Sequence, residues 1–178
     1  MKVACGFSSR GERLFFALWP HEDVRVRLAA EAHGAGGRSR PADGYRMTLA
    51  FVGEVGDGVR CALELAAASS VWGSFLCVLD RIDALGSGIE VLLPSASPPR
   101  LLGLAASLQG LVADVAGTVE RRPYRPHVTL AGHVDHVRSV SLSSPIIWPV
   151  REYVLCRSQR TRPGFYNVLE RWPLYEDL

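Results

Sequence analysis

The chain has 178 residues, 48% of them apolar, and 20 Lys and Arg against 18 Asp and Glu give a net charge of +2. That is enough apolar material for one buried core, and too small a charge to imply nucleic-acid binding by bulk electrostatics alone. No stretch approaches a membrane span and the first 13 residues hold no apolar run of signal-peptide length, so a soluble cytoplasmic protein with no membrane partner is expected.

The segment Arg13 to Trp19 alternates and stops at Pro20, which reads as a strand. Glu22, Asp23, Val24 and Leu28 follow as a short helix with acids in its first turn. Glycines and Pro41 between Gly34 and Gly44 mark a loop. A strand from Arg46 onward ends near Gly56, and an alanine-rich helix is expected over about Val59 to Ser70. Apolar strands are expected near Ser74 to Leu79 and Ile89 to Leu93. Ser97 before Pro98 and Pro99 reads as a helix start with Ser as the cap. Leu101, Leu104, Ala105, Leu108, Leu111, Val112 and Val115 then recur at helical spacing. A second strand like the one at Arg46 begins at His127, and two more are expected near Ile146 to Cys156 and Phe165 to Trp172. Both halves run strand, helix, strand, so the expected fold is α+β: two pseudo-symmetric lobes, each an antiparallel sheet backed by helices. The whole chain, 1–178, is read as one two-lobed domain.

Two segments nearly repeat each other: Arg46-Met47-Thr48-Leu49-Ala50 and His127-Val128-Thr129-Leu130-Ala131. Period-2 alternation points Arg46 and Thr48 to one face of a strand, and His127 and Thr129 to one face of another. Brought together, they set a histidine, two hydroxyls and a guanidinium around one cleft, a set of groups suited to phosphate. Phe51 shares the parity of Met47 and Leu49, which assigns it to the core; at the cleft edge it would instead stack on a base. Arg125, beside Pro126 and His127, either touches phosphate or orders the loop. Lys2 is the only lysine, and arginines crowd the motifs: Arg38, Arg40 and Arg46; Arg121, Arg122 and Arg125; Arg157, Arg160 and Arg162. A basic cleft and an arginine-rich solvated surface both account for that crowding.

The duplicated segment resembles the paired His-x-Thr/Ser strand motifs of the two-histidine phosphoesterase superfamily. More narrowly, four segments in order resemble the RNA 2′,3′-cyclic phosphodiesterases, also called 2′-5′ RNA ligases. They are Arg13 to Pro20, Thr48 to Val55, Arg125 to Ala131, and Tyr166 to Leu174. Arg46 stands where that family has its first histidine, and Gly132 where many members have an arginine. The resemblance implies two lobes with the motif strands meeting in a central active-site cleft. It also implies metal-independent hydrolysis of a 2′,3′-cyclic phosphate to a 2′-phosphate in RNA processing, with 2′-5′ ligation as a side activity.

On that reading His127 is one member of the acid/base pair, and Thr48 and Thr129 donate to phosphate oxygens. Arg46 keeps its proton at any working pH and so clamps phosphate rather than moving a proton. The site residues are therefore His127, Thr129, Thr48 and Arg46, with Arg125 and Phe51 for substrate and no metal or cofactor. The expected partner is an RNA or nucleotide bearing a 2′,3′-cyclic phosphate, bound by a monomer. Two alternatives stay open: a catalytically impaired RNA- or nucleotide-binding pseudoenzyme, and an altered copy of an active enzyme in which Arg46 is not native. His133, Asp135 and His136 read as a solvated turn rather than a metal site, and His21 and His33 as surface residues. Cys5, Cys61, Cys77 and Cys156 lack close spacing and read as free thiols.

Overall fold

The run from Leu14 to Leu18 is buried at every position, as is Tyr153 to Cys156. Strands covered on both faces belong in the middle of a sheet, and there they lie. A computed structural model describes residues 11–41, 44–159 and 165–176. In it β1 (Glu12–Leu18) and β8 (Glu152–Ser158) pair antiparallel as the central strands of a four-stranded sheet. Its edges are β3 (Met47–Val55) and β9 (Tyr166–Pro173). The second sheet has five strands in the order β2 (Arg38–Ser39), β6 (Val128–Gly132), β5 (Ile89–Leu93), β4 (Phe75–Ala84), β7 (Val140–Val150). All of these pairings are antiparallel. The protein is thus α+β with two antiparallel sheets.

Helices α1 (Glu22–His33), α2 (Asp57–Ala68) and α3 (Pro99–Ala116) supply the rest of the core. Val24, Leu28 and Ala32 bury one stripe of α1 against β6 and β7. Leu101, Leu104, Ala105, Leu108 and Val112 do the same for α3, which packs on β3 and β4 and so touches both sheets. One apolar cluster runs through both sheets and all three helices, with Trp148 and Tyr153 among its largest members. Burying a side chain of leucine size contributes about 1.5–3 kcal/mol, so this shared cluster holds the sheets in one body. A smaller cluster of Phe15, Ala17, Val154 and Cys156, with Trp19, Tyr166 and Val168 against it, lies on the opposite face of the four-stranded sheet.

Several expectations need correction. The lobes are not the two halves of the chain: β8 and β9 return from the C-terminal part to join β1 and β3. The single strand expected at Ile146 to Cys156 is two, β7 and β8, which part at Arg151 and enter different sheets. A continuous apolar pattern carries no record of which sheet it enters. Helix α3 starts from Pro98 with no side-chain cap, so Ser97 does not cap it; Pro99 takes the first turn, where no N–H is missed. Its end is marked by Gly117 at φ 71, a left-handed position that favours glycine. Cys77 and Cys156 are free and buried, and burial pushes both thiols up to about 12. Cys61, however, is disulfide-bonded, because proximity in space is invisible to linear spacing. Cys5, Lys2, Arg160 and Arg162 lie outside the described residues. Among the described residues no helix is long and apolar enough to cross a membrane.

Candidate active site

The two Thr-Leu-Ala segments share a defect. Where β3 runs beside β1, Ala17 pairs with Thr48 and Phe16 with Ala50, so Leu49 has no partner. Where β6 runs beside β5, Val91 pairs with Thr129 and Glu90 with Ala131, so Leu130 has none. Each is a β-bulge, one extra residue that twists the strand and re-aims the side chains beyond it. The orphaned carbonyls are taken up: Leu49 O accepts from Gln109 Nε2 at 3.0 Å, and Leu130 O from the Arg40 amide at 3.0 Å. Burial takes the same course in both copies, with Met47, Leu49 and Ala50 buried around half-buried Thr48, and Val128, Leu130 and Ala131 around half-buried Thr129.

A second bulge comes later in β3, where Leu14 pairs with Gly53 and Phe15 with Phe51, leaving Val52 over. Val52 O accepts from the Thr118 hydroxyl at 2.7 Å, and Gly53 takes φ 91, which a glycine adopts without strain. The bulge at Leu49 moves Phe51 off the core parity. Its ring is 52% exposed and lines a cavity of about 700 Å³, so the period-2 assignment of Phe51 to the core is corrected. Phe15, Phe51, Phe165 and Tyr166 form the aromatic walls of this cavity, with Arg13, Arg46, Glu54, Ser158 and Gln159 as its polar lining.

Arg46 immediately precedes β3 and lies at the cavity. Its guanidinium carbon sits 3.7 Å from the centroid of Tyr166 and 4.9 Å from that of Phe15, and its NH1 donates to Gly44 O at 2.9 Å. Such stacking over desolvated rings is worth about 2 kcal/mol. Burial pushes Arg46 below its ordinary value, offset in part by Tyr166 and reinforced by the charge of Arg40. Its Nε is buried without a hydrogen-bond partner. A buried unpaired donor costs about 1–3 kcal/mol, and this one belongs to a cation.

His127 holds the matching place before β6. Its Nδ1 lies 2.7 Å from Arg125 O. A carbonyl can only accept, so Nδ1 carries the proton and Nε2 is left with its lone pair. Burial lowers the His127 pKa first; the hydrogen bond to Arg125 O opposes this, and the charges of Arg125 and Arg46 add to it. Since Arg46 acts on His127, and β3 touches β6, the two motifs face one site. His127 does not itself line the aromatic cavity, whereas Arg46 does. A base whose folded pKa lies below its unfolded value stays neutral through the range where free histidine titrates. The rate attributable to neutral His127 is therefore expected to hold flat as pH falls past about 6.5, and to drop only below that. A kcat/KM profile checks this. The stability sign agrees: charging His127 favours the unfolded chain, so its contribution is present above the unfolded value and lost as pH falls below it.

The other expected site residues divide. Thr48 and Thr129 occupy equivalent positions, each next to the bulged leucine of its strand. Arg125 turns to the five-stranded sheet, where NH2 meets Asp83 Oδ2 at 3.4 Å and NH1 meets Ala84 O at 3.4 Å, so it orders the loop that presents His127. Other arginines of the expected basic cleft are engaged too: Arg122 with Glu120, Arg157 with Glu12. Among the described residues, Arg13 and Arg46 line the cavity and Arg40 acts on Arg46. His133 is exposed at φ 55 in the turn after β6, and His136 is exposed beside it. Sequence reasoning missed Phe15, Tyr166 and Gln159. The alternation of β1 carried a signal for Phe15; nothing local marked that β9 would bring Tyr166 beside Arg46.

Two adjoining antiparallel sheets, each giving a bulged Thr-Leu-Ala strand headed by a histidine or an arginine, make the fold and site of a phosphoesterase of the two-histidine type. No protein-family model matches the chain. The RNA 2′,3′-cyclic phosphodiesterase of Escherichia coli (strain K12) is 32% identical over 178 residues, covering 93% of this chain and 98% of that protein. The chain belongs to the RNA 2′,3′-cyclic phosphodiesterase family. Solved structures agree: a crystal structure described as a phosphoesterase superposes with TM-score 0.86 at 28% identity, covering 93% of this chain and 99% of that one. Escherichia coli LigT complexed with 3′-AMP superposes with TM-score 0.84 at 29% identity, covering 92% and 98%.

Proposed function

We propose that the chain hydrolyses 2′,3′-cyclic phosphate ends of RNA or nucleotides to 2′-phosphates, acting as one two-lobed unit. Family membership supports the reaction class, and 3′-AMP in the related LigT structure supports a nucleotide-sized ligand. The observation that carries the reading is the shared bulge: both motif strands deform alike, which supports one phosphate gripped from two sides.

Water attacks phosphorus as the bond to the 3′ oxygen breaks. His127 Nε2 takes the water proton, and the Nδ1 hydrogen bond to Arg125 O holds the ring in the required tautomer. Thr48 and Thr129 donate to the non-bridging oxygens as charge gathers there. The Arg46 guanidinium clamps the same oxygens, and the aromatic stack against Tyr166 and Phe15 holds it in place. Phe51 and its aromatic neighbours take the base, and Arg125 acts through the loop.

Arg46→Ala is expected to lower kcat/KM for a 2′,3′-cyclic nucleotide by about 10²–10³-fold, the usual cost of one transition-state donor. A chelator-treated turnover assay beside wild type checks it. Unchanged turnover in the variant contradicts the clamp. An inert wild type that binds the cyclic nucleotide tightly would make the chain a binder.

A further inference from the structure

We infer that the Tyr166 hydroxyl is the general acid of this site, delivering a proton to the departing 3′ oxygen in place of a second histidine. This rests on the hydrolytic reading above. His127, neutral and with Nε2 unprotonated, serves the attacking water, so the leaving group needs another donor. Arg46, at the equivalent place on the other strand, holds its proton too tightly to give one. The remaining histidines are exposed: His21 and His33 flank α1, and His133 and His136 sit in the turn after β6. Cys156 is fully buried beneath the site.

Tyr166 opens β9 opposite Ser158 and lines the cavity. Its ring is fixed twice, edge-on to Phe15 at 5.3 Å and 88°, and under the Arg46 guanidinium at 3.7 Å. The phenol ring therefore lies against the Arg46 guanidinium at the wall of the cavity. A phenol is a stronger acid than a sugar hydroxyl, so transfer to the leaving oxygen runs downhill. The positive charge of Arg46 over the ring opposes the negative charge that the transfer leaves. The balance is complete: the water oxygen bonds to phosphorus and its proton passes to His127 Nε2. The bond from phosphorus to the 3′ oxygen breaks, and that oxygen takes the phenol proton. Water then carries the imidazolium proton back to the phenolate.

The test is Tyr166→Phe, which keeps the ring and its stacking, against two substrates: a 2′,3′-cyclic nucleotide, and its analogue with sulfur at the 3′ bridging position. A thiolate leaves without protonation. The variant is expected to lose about 10²-fold in kcat on the oxygen substrate, with KM held within a few fold, and to match wild type on the sulfur substrate. Equal rates for variant and wild type on the oxygen substrate overturn the assignment, as does an equal loss on both. Wild type inert on the oxygen substrate instead overturns the hydrolytic reading, and the assignment falls with it.

Discussion

His127→Ala is expected to reduce turnover of a 2′,3′-cyclic nucleotide by about 10²–10⁴-fold, the range for removing one acid or base, or roughly 3–5 kcal/mol of barrier. The expectation rests on three features of the residue. Its Nδ1 is committed to Arg125 O, so Nε2 alone faces chemistry. Its pKa is lowered, first by burial, so the base form is the resting form. The other histidines, His21, His33, His133 and His136, are exposed, so none stands in for it. His127 also lies outside the apolar clusters, so the loss should come without loss of fold. An unfolding midpoint within a few degrees of wild type, with affinity for a 2′-phosphate product largely retained, separates a chemical defect from a structural one. A residual rate within tenfold of wild type would remove His127 from the mechanism.

Arg138→Ala is expected to cost about 3–5 kcal/mol of stability, as for any buried ion pair broken from one side. Glu90, on β5 beside the motif strand β6, is fully buried. Its carboxylate accepts from the Arg138 amide at 3.0 Å and from Nε at 3.1 Å, as well as from NH2. The same NH2 donates to Glu31 O at 2.8 Å, at the end of α1. One guanidinium thus closes α1, β5 and the loop after β6 around a charge with no access to water. Without it, Glu90 is left charged and unpaired, or must be protonated. For a chain of this length the unfolding midpoint should fall by roughly 10 °C. Adding Glu90→Gln to Arg138→Ala should recover part of the loss, because the isolated charge is gone. If the double variant is no more stable than the single one, the unpaired charge was not the cause.

Much of this was legible in the sequence because it depends on local pattern. The stripe from Leu101 to Val115 needs only the helical period, and the two Thr-Leu-Ala segments announce their kinship by identity. The bulges were not legible, because a bulge is a relation between two strands; Leu49 and Leu130 look regular until Ala17 and Val91 are seen to pair past them. The exposure of Phe51, against its period-2 parity with Met47 and Leu49, follows from that relation alone. Arg125 drew attention by its place beside His127, but Asp83, distant in sequence, decides where it turns. Tyr166 was passed over because its meaning comes from Arg46, which β9 meets only after the chain has crossed to the other sheet and returned.

The central claim is that this site, with an arginine in one of its two strand-leading positions, still cleaves a cyclic phosphate. The most direct measurement is a phosphorus NMR time course of the wild-type protein, with chelator, on a 2′,3′-cyclic mononucleotide. Conversion of the cyclic signal to a 2′-monophosphate, absent in His127→Ala, is the predicted result. A cyclic signal that persists unchanged beside saturating protein contradicts it.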